Sequence, residues 1–463
     1  MKTTKPIDCI SASSGSRIVS LIKRTCLLAV CALPGFFKPV LADTCQPNHH
    51  NQNTSFAVLS DLHVYDTQLG TTGNAFQAYL DADPKLLAYS ESIFESALAD
   101  IIKSRVHFVI ISGDLTKDGE FTSLLRVVRH LQRLEQAGIQ VFVVPGNHDI
   151  NNHDAVAFAG DTTKPVPSVT PQLFKALYHR FGYGQAISSA PDSLSYVAEP
   201  TPGVWLLAID SVKSAESATS EHPVVSGSIT GKTMAWALAK IHEGQSRGKK
   251  VIAFMHHGVN LHFLSEPQLF PDYLVDNWPI VGAQFAGAGL KAVFTGHYHS
   301  QDISNLNVDA TGTPAASGLF DIQTGSLASW PCAYRIAHLD RAGTLNIESR
   351  RVTAIHADLG GVPFQQYAEN FSRSLLPFQV TAELEQLFGL PEAQAKAAAP
   401  IVVDALMANY AGDEDPSDGT LAMIQGFLSY PSGTPYNTMG QILATLWLDP
   451  AQADNAYSIS ITN

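Results

Sequence analysis

The sequence predicts a layered α/β fold followed by an all-helical C-terminal region. Three observations carry that expectation. Short apolar runs at Phe56–Leu59, His107–Ile111, Gln140–Val144, Val251–Met255 and Leu290–Phe294 each end in a polar segment, as buried strands do where they enter loops. Between the first three runs lie stretches with apolar residues at helical spacing, so strands alternate with helices. After about His356 the strand-like runs stop, and Gly-, Pro- and Asp-rich breaks separate segments of helical periodicity.

Residues 1–42 read as an export signal. Lys23 and Arg24 precede the apolar stretch Thr25–Phe37, and Val40-Leu41-Ala42 supplies a small-residue cleavage pattern. The stretch is too short to span a bilayer comfortably, and Pro34-Gly35 interrupts it. The mature chain is expected to start near Asp43, in the periplasm or outside the cell. Neither Cys31, after Val30, nor Cys45, after Thr44, follows the small residue expected before a lipoprotein cysteine, so no stable membrane anchor is expected. Only Cys45 and Cys332 survive cleavage, and an oxidising compartment would allow them to pair.

Asp83-Pro84 is expected to open the first helix, as a cap followed by a proline at the first helical position. Leu86, Leu87, Ile93, Phe94, Ala97, Leu98, Ile101 and Ile102 continue its apolar face. A second helix runs from Phe121 to Ala137 with Leu124, Leu125, Val128, Leu131 and Leu134 in register, and stops at Gly138. Later strands at Ser193–Ala198, Gly203–Ala208, Tyr334–Leu339 and Thr344–Val352 would complete a second sheet. Asp210, at the end of one of them, is expected to form a turn. Helices follow at Phe364–Leu376, Thr381–Phe388, Glu392–Tyr410, Leu421–Ser429 and Thr438–Leu446, whose apolar faces would form a bundle core, a cap over the site or a dimer contact.

The chemistry lies in five polar segments: Asp61-Leu62-His63, Gly113-Asp114, Gly146-Asn147-His148-Asp149, His256-His257 and Gly296-His297-Tyr298-His299. Each follows a strand, at the sheet edge where ligands of open α/β folds bind. Asp61, Asp114 and Asn147 offer oxygen; His63, His256, His297 and His299 offer imidazole nitrogen; no thiolate takes part. Such mixed ligation suits manganese, iron or zinc. Asp114, between the two halves of the set, is the natural carboxylate to bridge two cations about 3.5–4 Å apart, the spacing of two-metal hydrolases.

In this order the segments match the pattern D-x-H, G-D, G-N-H-[DE], H and G-H-x-H, and the chain resembles the calcineurin-like metallophosphoesterases. The resemblance implies a two-sheet sandwich flanked by helices, with a catalytic domain over 43–355 and a helical domain over 356–463. It places Asp61, His63 and His299 with Asp114 around a first metal, and Asn147, His256 and His297 with Asp114 around a second. His257 stands beside the ligands, and His148 is the non-ligand catalytic histidine that stabilises charge or protonates the leaving oxygen. Tyr298 is open as a wall residue or a substrate contact. The stretch from Ser60 to Asn152, with Phe181-Gly182-Tyr183 and Ser193–Tyr196, is similar to exported bacterial cyclic-nucleotide phosphodiesterases that carry a C-terminal helical domain.

The implied activity is hydrolysis of a cyclic-nucleotide or related phosphodiester by a metal-bridging hydroxide. The implied cofactors are two divalent or mixed-valence transition-metal ions, Mn, Fe or Zn. A broad phosphomonoesterase is the alternative enzyme, and a metal-dependent binding or scaffold protein is the non-catalytic alternative. Loss of residues 1–42 would remove six basic residues (Lys2, Lys5, Arg17, Lys23, Arg24, Lys38) and one acid (Asp8), moving the formal net charge from −13 to −18. So acidic a body, without a basic stripe, would repel nucleic-acid polymers. A small phosphoester of nucleotide size is the expected partner, drawn by the local charge of the metals.

Overall fold

The computed structural model describes residues 53–309, 311–412, 414–447 and 453–462. The expected export signal over 1–42 and Cys45 lie outside the described residues. Among the described residues no helix is long and apolar enough to cross a membrane.

Two mixed sheets form the body. The first has the strand order Ala456–Ser460, Thr344–Arg351, Ala333–Leu339, Thr54–Leu59, Phe108–Ile111, Gln140–Val143. Its last three strands run parallel, and the others pair antiparallel. The second has the order Asp302–Val308, Pro314–Gln323, Ala292–Thr295, Lys250–Phe254, Val204–Ala208, Tyr196–Thr201, Ser188–Ser189. Period-two alternation sorts its side chains. Leu206, Ala208, Ile252, Phe254 and Phe294 enter the core shared with Phe56, Phe108 and Ile110 of the first sheet. Trp205, Leu207, Val251, Ala253 and Val293 instead pack with Met234, Ala237, Ile241 and Phe285 of the helices Gly231–Ser246 and Trp278–Gly287. The expected two-sheet sandwich flanked by helices is the observed fold.

Some elements differ from the sequence reading. The strands Ala333–Leu339 and Thr344–Arg351, expected in the second sheet, belong to the first. The segment after Gln323 carries the chain across: Leu327 N–H donates to Ser60 O at 3.2 Å and Ala328 N–H to Asp61 O at 3.4 Å, setting the next strand beside Thr54–Leu59. Asp83 does not open a helix. It ends the helix Asn74–Ala82, and the next α-helix starts at Ser90 after a tight turn over Leu87–Tyr89. Asp83 instead accepts from Lys85 Nζ at 2.5 Å. The expected break after Leu376 is absent, and one helix runs Phe364–Phe388 with Pro377 inside it. The missing N–H is tolerated because Leu376, Val380 and Leu384 keep one buried face across the proline.

The helices Phe364–Phe388, Glu392–Ala411, Asp418–Leu428 and Pro435–Trp447 share a core that also takes in Phe263 and Tyr298 from the sandwich. The chain then returns as the strand Ala456–Ser460, which pairs with Thr344–Arg351. Buried polar groups fasten this return. Arg335, fully buried, donates to the backbone carbonyls of Asp302, Gln323 and Asp454, while Asp454 accepts from Ile303 N–H at 2.8 Å.

Close by, the His262 ring lies 3.3 Å from Asp302 and 3.6 Å from Asp321, and the His262 backbone N–H donates to Glu266 at 2.8 Å. Burial pushes the Glu266 carboxyl from 4.5 up to about 8, against the pull of His262. The folded chain therefore holds this proton more tightly than the unfolded one. The resulting stability is full below pH 4.5 and is lost as pH rises through about 8. Glu266→Gln keeps the shape and the acceptor for His262 N–H, and is expected to flatten that decline. Melting temperatures of the two proteins from about pH 5 to about pH 9 check it; parallel profiles would rule it out.

Candidate metal centre

The strands Thr54–Leu59, Phe108–Ile111, Gln140–Val143, Lys250–Phe254 and Ala292–Thr295 deliver their following loops to one edge of the sandwich, where all the sequence-expected site residues meet. The loops are cross-tied by backbone. Asp61 N–H donates to Gly113 O at 3.1 Å, His63 N–H to Asp114 O at 3.0 Å and Gly296 N–H to His256 O at 3.0 Å. Side chains tie them further: Asp114 Oδ1 accepts from His148 N–H at 2.9 Å and Asp61 Oδ2 from His297 N–H at 3.0 Å.

Five of the expected ligands adopt left-handed backbone: Asp61 at φ 51°, His63 at 40°, Asp114 at 49°, His297 at 74° and His299 at 72°. Non-glycine residues rarely sit there, and the cost persists only where surrounding bonds enforce it, commonly at functional sites. Here the conformation occurs in three of the five loops, at residues whose side chains supply the candidate donors. The glycines serve the same convergence. A Cβ at Gly146 would lie 2.1 Å from Asp114 Oδ1, and one at Gly113, where φ is 105°, 2.6 Å from His256 Nδ1. Gly146→Ala is expected to displace Asp114, lowering stability by about 1–3 kcal/mol and reducing bound metal. Melting and elemental analysis check this, and wild-type values of both would refute it.

The donor atoms form two overlapping sets. Asp61 Oδ1 lies 3.3 Å from His299 Nε2 and 3.9 Å from His63 Nε2, and the two imidazole nitrogens are 3.4 Å apart. His256 Nε2 lies 3.0 Å from Asn147 Oδ1 and 3.4 Å from Asp114 Oδ2, and His297 joins Asp114 and His256 with ligand atoms within 4.8 Å of one another. Asp114 Oδ2 is also 3.8 Å from His63 Nε2, so this one oxygen stands between both sets. The residues fit two cations. Asp61 Oδ1 is buried without a hydrogen-bond partner, and the oxygen and imidazole donors match transition metals. Burial lowers the pKa values of His63 and His297 well below the usual range, leaving them neutral as ligation requires. Burial opposes ionisation of Asp114, but His256 and His148 around it hold its carboxyl well below the usual range.

His257 stays off the metals because both ring nitrogens are engaged, Nδ1 with Ser211 Oγ at 2.8 Å and Nε2 with Val225 O at 2.9 Å. His148 is held differently. Its Nδ1 is 2.7 Å from Asp118 Oδ1, leaving Nε2 facing the cavity at 3.9 Å from Asp114 Oδ2. His63, Asp114 and His148 also lie close enough to form a ligand group, and the Asp118 contact leaves His148 Nε2 open to an ion as well as to a substrate. Asp118 is fixed by buried Lys117 and by Asn152 Nδ2 at 3.3 Å. Burial opposes its charge, yet Lys117 and His148 keep its carboxyl below the ordinary value.

Sequence reasoning missed Asp118 and the role of Asp149. Asp149 accepts from Leu115, Thr116 and Gly146 N–H, locking the second loop to the third. Its place in the Gly-Asn-His-Asp segment was the available signal; Asp118 had none beyond its loop. Asp210 accepts from Leu194 and Val212 N–H, as a turn residue does. Tyr298 is buried against Phe263, Phe270 and Tyr273 while bordering the cavity.

That cavity, about 440 Å³, has Asp114, Asn147, His148, His297 and His299 on its floor. Lys85 and Trp330 stand at its side, and the helix Phe364–Phe388 forms the facing wall.

Comparison with known proteins supplies a family and distant folds. The model of the calcineurin-like phosphoesterases matches residues 54–301. No curated protein matches the chain. Among solved structures, a dimetal phosphatase from Danio rerio is 15% identical, with a TM-score of 0.45, covering 65% of this chain and 96% of its own. A purple acid phosphatase from yellow lupin (Lupinus luteus) seeds is 11% identical, with a TM-score of 0.33, covering 66% of this chain and 52% of its own. An anchor of the inner membrane complex of Plasmodium is 12% identical, with a TM-score of 0.30, covering 65% of this chain and 85% of its own. The matched residues make up more than half of the sequence and contain all five polar segments, so the chain belongs to the calcineurin-like phosphoesterase family.

Proposed function

We propose that the protein hydrolyses phosphodiesters, with a cyclic nucleotide or a related small diester as substrate. The observation that carries this reading is the cavity of about 440 Å³ over the candidate ligands, bordered by Phe270, Tyr273 and Trp330. A phosphate alone needs far less room, whereas a cavity of this size accepts an organic group attached to it. Lys85 is the single Lys or Arg among the described residues lining the cavity, and it is already paired with Asp83. Such a lining suits the one negative charge of a diester better than the nearly two of a monoester.

In this reading Asp61, His63, His299 and Asp114 would hold one ion, and Asn147, His256, His297 and Asp114 the other. Two bound transition-metal ions supply Lewis acidity toward phosphate oxygens and lower the pKa of an attacking water. The chain's own residues do the rest. Asp114 orders both ligand sets through one carboxylate. Asp118 fixes His148 through Nδ1, so that a proton on Nε2 is presented toward the leaving oxygen.

A turnover panel on the purified protein tests the proposal under controlled Mn, Fe or Zn loading. The substrates are bis-p-nitrophenyl phosphate, p-nitrophenyl phosphate, and 2′,3′- and 3′,5′-cyclic nucleotides. Diesters are expected to turn over best; preference for the monoester favours the phosphatase alternative, and no turnover at all favours a binding protein. Export belongs to the same reading, supported by Lys23-Arg24, the apolar stretch and Val40-Leu41-Ala42. N-terminal sequencing of native protein is expected to begin near Asp43, and an uncleaved cytoplasmic chain would overturn export.

A further inference from the structure

The cavity wall opposite the metal ligands comes from a region that supplies none of them. On the helix Phe364–Phe388, Gln379, Glu383 and Gln386 follow one another at helical spacing and all border the cavity. Gln379 Nε2 donates to Glu383 Oε1 at 3.2 Å, which fixes the carboxylate while leaving acceptor capacity free. Among the described residues no ion pair reaches Glu383. It shares the cavity instead with Tyr273, Tyr298 and Tyr410, whose titration its charge opposes. Burial raises the Glu383 carboxyl above its ordinary value. An acceptor set in an aromatic enclosure, without a cation, lacks the partner its chemistry calls for.

The surroundings narrow that partner. Tyr273 lines the cavity with its ring 4.6 Å from that of His297, and Trp330 offers a second aromatic surface. Planar rings find favourable faces there. Asp83, on the same cavity, is paired with Lys85, so the lining offers no spare cation to another phosphate beyond the one at the metals. The fitting group is flat, neutral and rich in N–H donors.

We infer that Gln379 and Glu383 of the helix Phe364–Phe388 form the subsite for the group carried by the phosphate, and that this group is a nucleobase whose N–H donors Glu383 accepts. The inference rests on the phosphodiesterase reading for the placement of the phosphate on the metal floor. Glu383 sets specificity and takes no part in the bond cleavage.

Binding, read without turnover, tests it on the full metal-loaded chain. Titration calorimetry would compare slowly hydrolysed phosphorothioate analogues of 3′,5′-cyclic adenosine, guanosine and uridine monophosphates with inorganic phosphate as the probe that lacks a base. Wild-type protein is expected to bind at least one nucleotide analogue more tightly than phosphate. Glu383→Ala should weaken that nucleotide by roughly 10- to 100-fold, the scale of a hydrogen bond to a charged group, while phosphate affinity stays within about twofold. Glu383→Gln, which keeps one acceptor, should recover part of the loss and change the ranking of the bases. Nucleotides bound no better than phosphate, equal weakening of both probes, or no effect of Glu383→Ala would each overturn the inference. Nucleotide binding without cleavage in the turnover panel would sink the proposed function and leave the subsite standing; the reverse pattern would do the opposite.

Discussion

Replacing His148 by alanine is expected to leave both metals in place and to slow cleavage of a cyclic nucleotide by roughly 10²–10⁴-fold, the range of general acid catalysis. The geometry behind this is specific. With Nδ1 held by Asp118 at 2.7 Å, only Nε2 is free to serve a departing oxygen. An alkoxide leaving group has a conjugate acid of high pKa and needs that proton; a nitrophenolate does not. The loss on bis-p-nitrophenyl phosphate should therefore be markedly smaller. An equal loss on both substrates would reassign His148 to charge stabilisation on the phosphoryl group, and loss of metal would make it a ligand.

Asp114→Ala should have the larger effect. Its Oδ2 lies 3.8 Å from His63 Nε2 and 3.4 Å from His256 Nε2, so one substitution removes the oxygen common to both ligand sets. It also removes the acceptor for His148 N–H and so loosens the third loop. Both ions are expected to fall in occupancy, and activity to drop by roughly 10³-fold or more, since metal polarisation supplies several kcal/mol of transition-state stabilisation. His299→Ala should mainly deplete the set that includes Asp61 and His63. Elemental analysis of both variants decides the matter: two ions per chain in Asp114→Ala would reject the bridging position.

The strands that carry the ligands were legible because each is a short buried run of Val, Ile, Phe and Ala ending in a polar segment. The strands Asp302–Val308 and Pro314–Gln323 were not. They bury Asp302, Asn307 and Asp321, whose polar groups are met by His262, Asn260 and Thr295 from elsewhere in the chain. Hydrophobic alternation fades where burial is polar and the partners are remote. Asp83-Pro84 misled for a related reason. An aspartate before proline has the same local signature whether it caps a helix or, as here, turns toward a lysine beside a cavity. Asp118 was hidden because its importance is a contact between two loops, which no local pattern records. The metal-type residues were visible as chemistry; the residues that hold and aim them emerge only from the packing.

The return strand Ala456–Ser460 changes what the helical region is. Ser349 N–H donates to Asn455 O at 2.8 Å, so the chain leaves the first sheet near Val352 and comes back beside its own point of departure. The helices are thus an insertion into a hairpin, with both ends moored to one antiparallel pair. Lengthening or rebuilding such an excursion adds little closure entropy and leaves the ladder of the sandwich untouched. The wall can therefore lengthen without disturbing that ladder, while the core it shares with Tyr298 ties its packing to a metal-bearing loop. If that wall sets substrate choice as inferred, Tyr298 is where selection on substrate and selection on bond cleavage meet.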